Sequence, residues 1–184
     1  MDRRRFLAGV GGSCFAVTSG CLAIDARETP MVLSLVSVDR GPEPLSFEID
    51  LREETLTETR APTLDIAVTN RGKKSAKWEY GGGVGNLPFP QRVYSADDRL
   101  VIGLEKEVES QLRDTSRGCA RLEHFVAANG IQHTSLEPDE TIRNRYAVAG
   151  IGGNFNGVCP EPTTYRMEEQ LGDYGEWGFT IKLD

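Results

Sequence analysis

Two histidines and four cysteines are the side chains of this 184-residue chain best suited to nucleophilic or metal chemistry. His124 and His133 stand nine residues apart, a spacing that matches no His-x-x-x-His helical site. They read as surface or part-buried histidines rather than ligands, and no metal is expected. No Gly-x-Ser-x-Gly elbow occurs, and no order of Ser, His and Asp stands out. Cys–His catalysis would need Cys119 or Cys159 as a free thiol. The glycine runs at 81–86 and 150–157 lack the Lys-Ser/Thr that a phosphate-binding loop requires. Both read as long surface loops, and they are the best positional guess for a site that takes a protein or small-ligand partner. The acidic pairs Glu53-Glu54, Asp97-Asp98 and Glu168-Glu169 read as solvated faces. No cofactor and no catalytic activity are expected; an enzyme whose site is assembled from scattered carboxylates or histidines is the alternative.

The charge excludes another class. Lys plus Arg number 21 against 28 Asp plus Glu, a net charge of -7. A nucleic-acid binder carries a basic face to neutralise phosphates, so no nucleic-acid partner is expected. Hydrophobic residues at 39% with 27% charged suit a globular chain. No apolar run reaches the ~18 residues of a membrane span.

The N-terminus carries an address. Arg3, Arg4 and Arg5 precede Phe6 and Leu7, and a Gly/Ala-rich, weakly apolar run follows to Gly20. A positive head followed by a short apolar stretch is the layout of an export signal. Arg-Arg-x-Phe-Leu resembles the twin-arginine signal, which transports folded proteins. The run ends in Thr18-Ser19-Gly20-Cys21, which resembles a lipobox. That resemblance implies cleavage before Cys21, lipidation of its sulfur, and a chain tethered at the outer face of the cytoplasmic membrane. Residues 1–20 are then the signal, and 21–30 the anchor cysteine and linker. Cleavage after Ala23 or Ala26 is the alternative, and it would release a soluble secreted protein.

Without residues 1–20 the chain keeps 27 acidic and 18 basic side chains, 13 of them Arg and 5 Lys, a net charge of -9. Acidic, Lys-poor and with such a signal, it is similar to secreted lipoproteins of halophilic archaea. Cys14 lies inside the signal and Cys21 is the lipid site, which leaves Cys119 and Cys159 in the body. An even pair in an oxidising compartment predicts a disulfide, with a metal site or a reactive thiol as alternatives. The bridge would close a loop of 40 residues, worth about 4 kcal/mol of chain entropy.

The elements that must position any site are short strands. Met31–Val38 is a β-branched run that stops at Asp39-Arg40-Gly41-Pro42. Leu45, Phe47, Ile49 and Leu51 alternate with Ser46, Glu48, Asp50 and Arg52, which gives one buried face. Leu64, Ile66 and Val68 repeat the pattern before a turn at Asn70-Arg71-Gly72. Trp78 and Tyr80 make a short piece. Arg92–Tyr94 and Leu100–Leu104 flank a hairpin turn, and 121–127, 142–149 and Glu176–Leu183 complete the set. Trp177 and Phe179 share a face and are expected in the core. Residues 105–113 fit a short helix or a strand, because Leu104, Val108 and Leu112 recur every fourth position. Phe89 lies between Pro88 and Pro90, which forbid ladder pairing on both sides, and is expected to be exposed as an anchor for a partner or packed in a loop.

About eight strands with little helix and no βαβ rhythm predict an all-β chain, a single β-sandwich over residues 31–184. The segment Thr63-Leu64-Asp65-Ile66-Ala67-Val68-Thr69-Asn70-Arg71-Gly72 resembles the strand and turn of immunoglobulin-like sandwiches in secreted proteins. Leu136-Glu137-Pro138-Asp139-Glu140 resembles their Leu-x-Pro-Gly-Glu turn, with Asp139 in the Gly place. Cys159-Pro160, Tyr165 and the C-terminal aromatic strand are similar too. The resemblance implies an architecture shared by binding modules, envelope proteins and BsuPI-like protease inhibitors. The expected function is a lipid-anchored, non-catalytic binding or envelope protein, with the inhibitor as one alternative.

Overall fold

Period-two alternation decides which side of each strand faces inward, and two packed layers follow from it. The computed structural model describes residues 30–57, 59–81, 86–95, 99–113, 119, 121–122, 130–151 and 159–184. The first layer has the order β12 (Thr164–Gln170), β13 (Glu176–Leu183), β1 (Met31–Val38), β3 (Thr55–Leu56). The second has the order β2 (Leu45–Glu53), β4 (Thr63–Asn70), β11 (Thr141–Ile151), β7 (Leu100–Leu104), β6 (Arg92–Tyr94). Two-residue strands β8 (Leu112–Arg113) and β9 (Arg121–Leu122) extend it, with β9 parallel to β11. A ribbon of β5 (Ala76–Gly81) and β10 (Ile131–Leu136) adjoins the turn between β12 and β13, where Trp78 meets Tyr174 edge-on. The chain is an all-β sandwich. The described residues hold thirteen strands rather than about eight; β3, β8, β10 and β12 are additional, and β9 is the start of the expected strand 121–127, whose remainder lies outside the described residues.

The core lies between the layers. β13 points Trp177, Phe179, Ile181 and Leu183 inward, all fully buried. Leu64, Ile66 and Val68 of β4 and Tyr146 and Val148 of β11 face them from the second layer. Phe47 of β2 stacks on Trp177 with ring centroids 3.9 Å apart. Helix α1 (Glu105–Gln111) occupies the ambiguous stretch and buries Val108, after which the chain turns extended again as β8.

Phe89 corrects the expectation of an exposed ring. The flanking prolines do keep residues 86–91 out of every strand, yet Phe89 is wholly buried. Its ring lies 5.5 Å from Trp177, 5.8 Å from Phe179 and 6.3 Å from Tyr146, so it joins both layers. A strandless segment in a core must have its carbonyls paired some other way. Thr134 Oγ1 donates to the Leu87 carbonyl at 2.9 Å, the Tyr80 hydroxyl to Pro88 at 2.9 Å, and the Tyr146 hydroxyl to Phe89 at 2.7 Å. Pro88 and Pro90 have no N–H to satisfy, which halves the remaining problem.

Two substitutions test this packing. Phe89→Ala should cost about 3–5 kcal/mol in urea unfolding, as for other buried aromatics. Tyr146→Phe should cost about 1–3 kcal/mol, because it strands a buried carbonyl. A loss below about 1 kcal/mol for Phe89→Ala would restore the exposed-loop reading.

Candidate functional site

The two ends of β1 differ in what they carry. At its start, Met31 pairs with Leu56 and the Val32 N–H donates to Asp184 O at 2.9 Å, so β1 begins beside Asp184. At its other end, Val38 pairs with Phe179 and the chain leaves into the loop 39–44. The seven steps between its first and last residues separate the ends by about 23 Å. The loops 39–44 and 71–75 and the turns 137–140 and 171–175 gather at the end of the sandwich where β1 finishes.

A groove of about 520 Å³ opens there, lined by the loop from Asp39 to Pro44, by Ser46 and Phe47, and by Arg71. Its wall is braced on both sides. The Asp39 N–H donates to Gly178 O at 3.0 Å, and its own carbonyl accepts from Trp177 Nε1 at 3.1 Å. Both guanidinium ends of Arg166 grip the Asp39 carboxylate, Nη1 at 3.1 Å and Nη2 closer still. That grip holds the Asp39 carboxyl below the usual range. On the far side, Leu45 N–H donates to Pro42 O at 2.7 Å and Arg71 N–H to Pro44 O at 2.9 Å. A side chain at Gly72 would strike Pro44 at 2.9 Å, which is why a glycine follows Arg71.

Asn70, fully buried, ties the neighbouring turns to this wall. Its Nδ2 donates to Lys74 O at 2.8 Å and Leu136 O at 3.0 Å, and its Oδ1 accepts from Gly72 N–H at 2.9 Å. Its backbone carbonyl accepts from Asp139 N–H at 2.8 Å. Asp139 adopts a left-handed conformation, φ 61°, where glycine is commoner and Asp is among the residues that tolerate it. The two turn motifs read separately from the sequence are therefore one hydrogen-bonded unit.

A second groove, about 530 Å³, lies over the ribbon and is lined by Lys77, Glu79, His133, Ser135 and Asp173 among others. His133 Nδ1 and Glu79 Oε1 are 3.0 Å apart with side chains 70% and 60% exposed. Among the described residues no hydroxyl or thiol hydrogen-bonds this imidazole, so the pair is a solvated cross-strand contact rather than an activated base. No group of three or more His, Cys, Asp and Glu among them could hold a metal ion.

The outer face of the second layer is an ion-pair lattice. Asp65 is nearly buried, and it accepts from Arg52 Nε and Arg145 Nε, each at 2.8 Å. Burial pushes the Asp65 carboxyl up, but the hydrogen bonds from Arg145 and Arg52 outweigh it and leave the pKa lowered. Arg143 reaches Asp50 at 2.7 Å and Glu48 at 3.6 Å. These long side chains roof β4, so every residue of that strand is buried on both faces.

The expected site residues fall in different places. Arg3, Arg4, Phe6, Leu7, Cys21, His124 and the Asp97-Asp98 pair lie outside the described residues, as do 82–85 and 152–157 of the glycine loops. Cys119 and Cys159 form a disulfide, S–S 2.05 Å. Glu53 pairs with Arg60 and Glu168 with Arg166. Glu169 departs from the solvated-face reading: it is half-buried, and burial raises its pKa. The loop 39–44 was legible in the sequence only as a turn. Comparison with protein families, with curated proteins and with solved structures returns no match.

The brace makes a prediction about pH. A lowered carboxyl pKa contributes order that is complete above about 3.9, the ordinary Asp value, and is lost as pH falls through the lower folded value. The Asp39 amide should therefore stay protected from hydrogen exchange at pH 4. Arg166→Gln should expose it at pH 7, and unchanged protection in that variant would contradict the brace.

Proposed function

We propose that this chain is an exported, lipid-anchored β-sandwich of immunoglobulin-like type that binds a protein partner through the loops at the end away from its linker and catalyses nothing. The observation that carries the reading is the polarity of β1: the linker enters at one end, and the braced loop 39–44 with its groove stands at the other. A tether through Cys21 would leave that end facing away from the membrane. A disulfide between Cys119 and Cys159 supports an oxidising compartment. The turn unit around Asn70 supports the immunoglobulin-like assignment, because it unites the two motifs on which that resemblance rests. The ion-pair lattice and the net charge of -7 suit a salty exterior.

A specific observation favours the inhibitor among the alternatives. Such a protein needs one rigid, accessible loop, and 39–44 is held on both flanks while Arg40 and Glu43 stay exposed.

The test has two parts. Intact mass of protein from its own membranes should begin at Cys21 with added lipid, and should rise by about 2 Da on thiol reduction. A photo-crosslinker at Glu43 should capture a surface protein in whole cells, whereas one at Ile131, exposed elsewhere, should not. An unlipidated mass overturns the anchor, and equal labelling at the two positions overturns the binding end.

A further inference from the structure

We propose that residues 39–44 are a substrate-like loop that docks in the cleft of a serine protease with an acidic specificity pocket, with Arg40 entering that pocket. This rests on the reading of the loop end as a protein-binding surface, and it names the partner's chemistry.

A segment that occupies a protease cleft must present a free side chain, a free N–H and a free carbonyl at one residue, on a backbone that does not move. Arg40 meets each condition. Its side chain is 87% exposed, and its one ion pair, to Glu43 at 3.2 Å, is equally exposed and therefore weak. Among the described residues, no hydrogen bond uses the Arg40 N–H or carbonyl. Both are left for pairing with the protease backbone and for the donors that receive a scissile carbonyl.

The flanks supply the rigidity. Asp39, the residue before, has its N–H, its carbonyl and its carboxylate all engaged, by Gly178, Trp177 and Arg166. After the Arg40–Gly41 bond come Pro42 and Pro44, whose rings fix the backbone, and Pro42 O is held by Leu45 N–H at 2.7 Å. A side chain at Gly41 would collide with the Leu45 carbonyl oxygen, so this loop position admits only glycine. Such bracing lowers the ordering cost of docking. It also keeps the two sides of the Arg40–Gly41 bond together, which disfavours release after attack.

The occupant follows from the side chain and its surroundings. A guanidinium selects a pocket with a carboxylate at its base. An apolar-pocket partner would need an exposed aliphatic or aromatic anchor. The exposed large hydrophobics of the described residues are Val32, Val36 and Ile131, none of them in this loop. A small anion between Arg40 and Arg71 is the competing occupant.

The probe is trypsin, with chymotrypsin as control, titrated with the full-length chain in detergent and read by hydrolysis of a small amide substrate. Stoichiometric, saturable inhibition of trypsin alone is expected. Arg40→Ala should weaken it about 100-fold, as for loss of a buried interfacial charge pair. Arg40→Lys should restore most of it, and circular dichroism should match the parent in both variants. No inhibition in large molar excess, or rapid scission after Arg40 with full protease activity, overturns the proposal. So does inhibition that survives Arg40→Ala or is abolished by millimolar sulfate in both variants alike, which would mark an anion site. Crosslinking at Glu43 without inhibition sinks the protease assignment and leaves the binding surface; loss of both sinks both.

Discussion

Three carbonyls in the middle of the core, those of Leu87, Pro88 and Phe89, belong to no strand, and the rest of the sandwich is arranged to satisfy them. A buried peptide oxygen without a donor costs about 1–3 kcal/mol, so three of them would consume much of a marginal stability. The donors come from different elements: Thr134 and Tyr80 from the β5–β10 ribbon, Tyr146 from the centre of the second layer. Each hydroxyl fixes the distance between its own strand and the segment. The ribbon is thereby locked against the second layer although no backbone ladder joins them. Phe89, held by its own carbonyl, then fills the space between Trp177, Phe179 and Tyr146.

The end of the sandwich where β1 finishes uses the same device with charges and amides. Asn70 satisfies the Lys74 and Leu136 carbonyls and the Gly72 N–H with one side chain, and Asp39 is gripped by Arg166 and the Trp177 indole. Trp177 is the link between the two systems, since its ring packs on Phe89 and Phe47 while its N–H braces the loop. Core packing and loop order are therefore coupled through one side chain. The exposed Arg40–Glu43 and His133–Glu79 pairs contribute little by comparison, being screened by water.

Where apolar residues alternate, the sequence was readable: β1, β6, β7 and β13 occupy the residues expected. β10 was missed because its inward positions include Gln132 and Thr134, polar side chains buried for their hydrogen bonds, so no hydrophobic period is left to see. β12 was hidden in the same way by Glu169, an inward carboxylate after Tyr165 and Met167. The Cys119–Cys159 bridge was legible from the count and spacing of the cysteines. Phe89 was misjudged because exclusion from a ladder was equated with exposure. Hydroxyls 47 and 57 residues further along the chain from the carbonyls they meet, at Thr134 and Tyr146, make that burial possible, and no local pattern announces them. The loop 39–44 looked like any turn, since its braces come from Arg71, Arg166 and Trp177.

The most direct test of the core account is a pH titration of tyrosinate absorbance with circular dichroism on the same sample. Burial pushes the hydroxyls of Tyr80 and Tyr146 well above the ordinary value of about 10. The folded chain then keeps protons that the unfolded chain releases, so stability is intact below about pH 10 and falls as pH rises beyond it. Tyr80 and Tyr146 should stay protonated until the sheet signal collapses, and should ionise together with that collapse. Ionisation of every tyrosine, Tyr80 and Tyr146 included, while the sheet signal remains native would mean that these two hydroxyls are not committed to the Pro88 and Phe89 carbonyls.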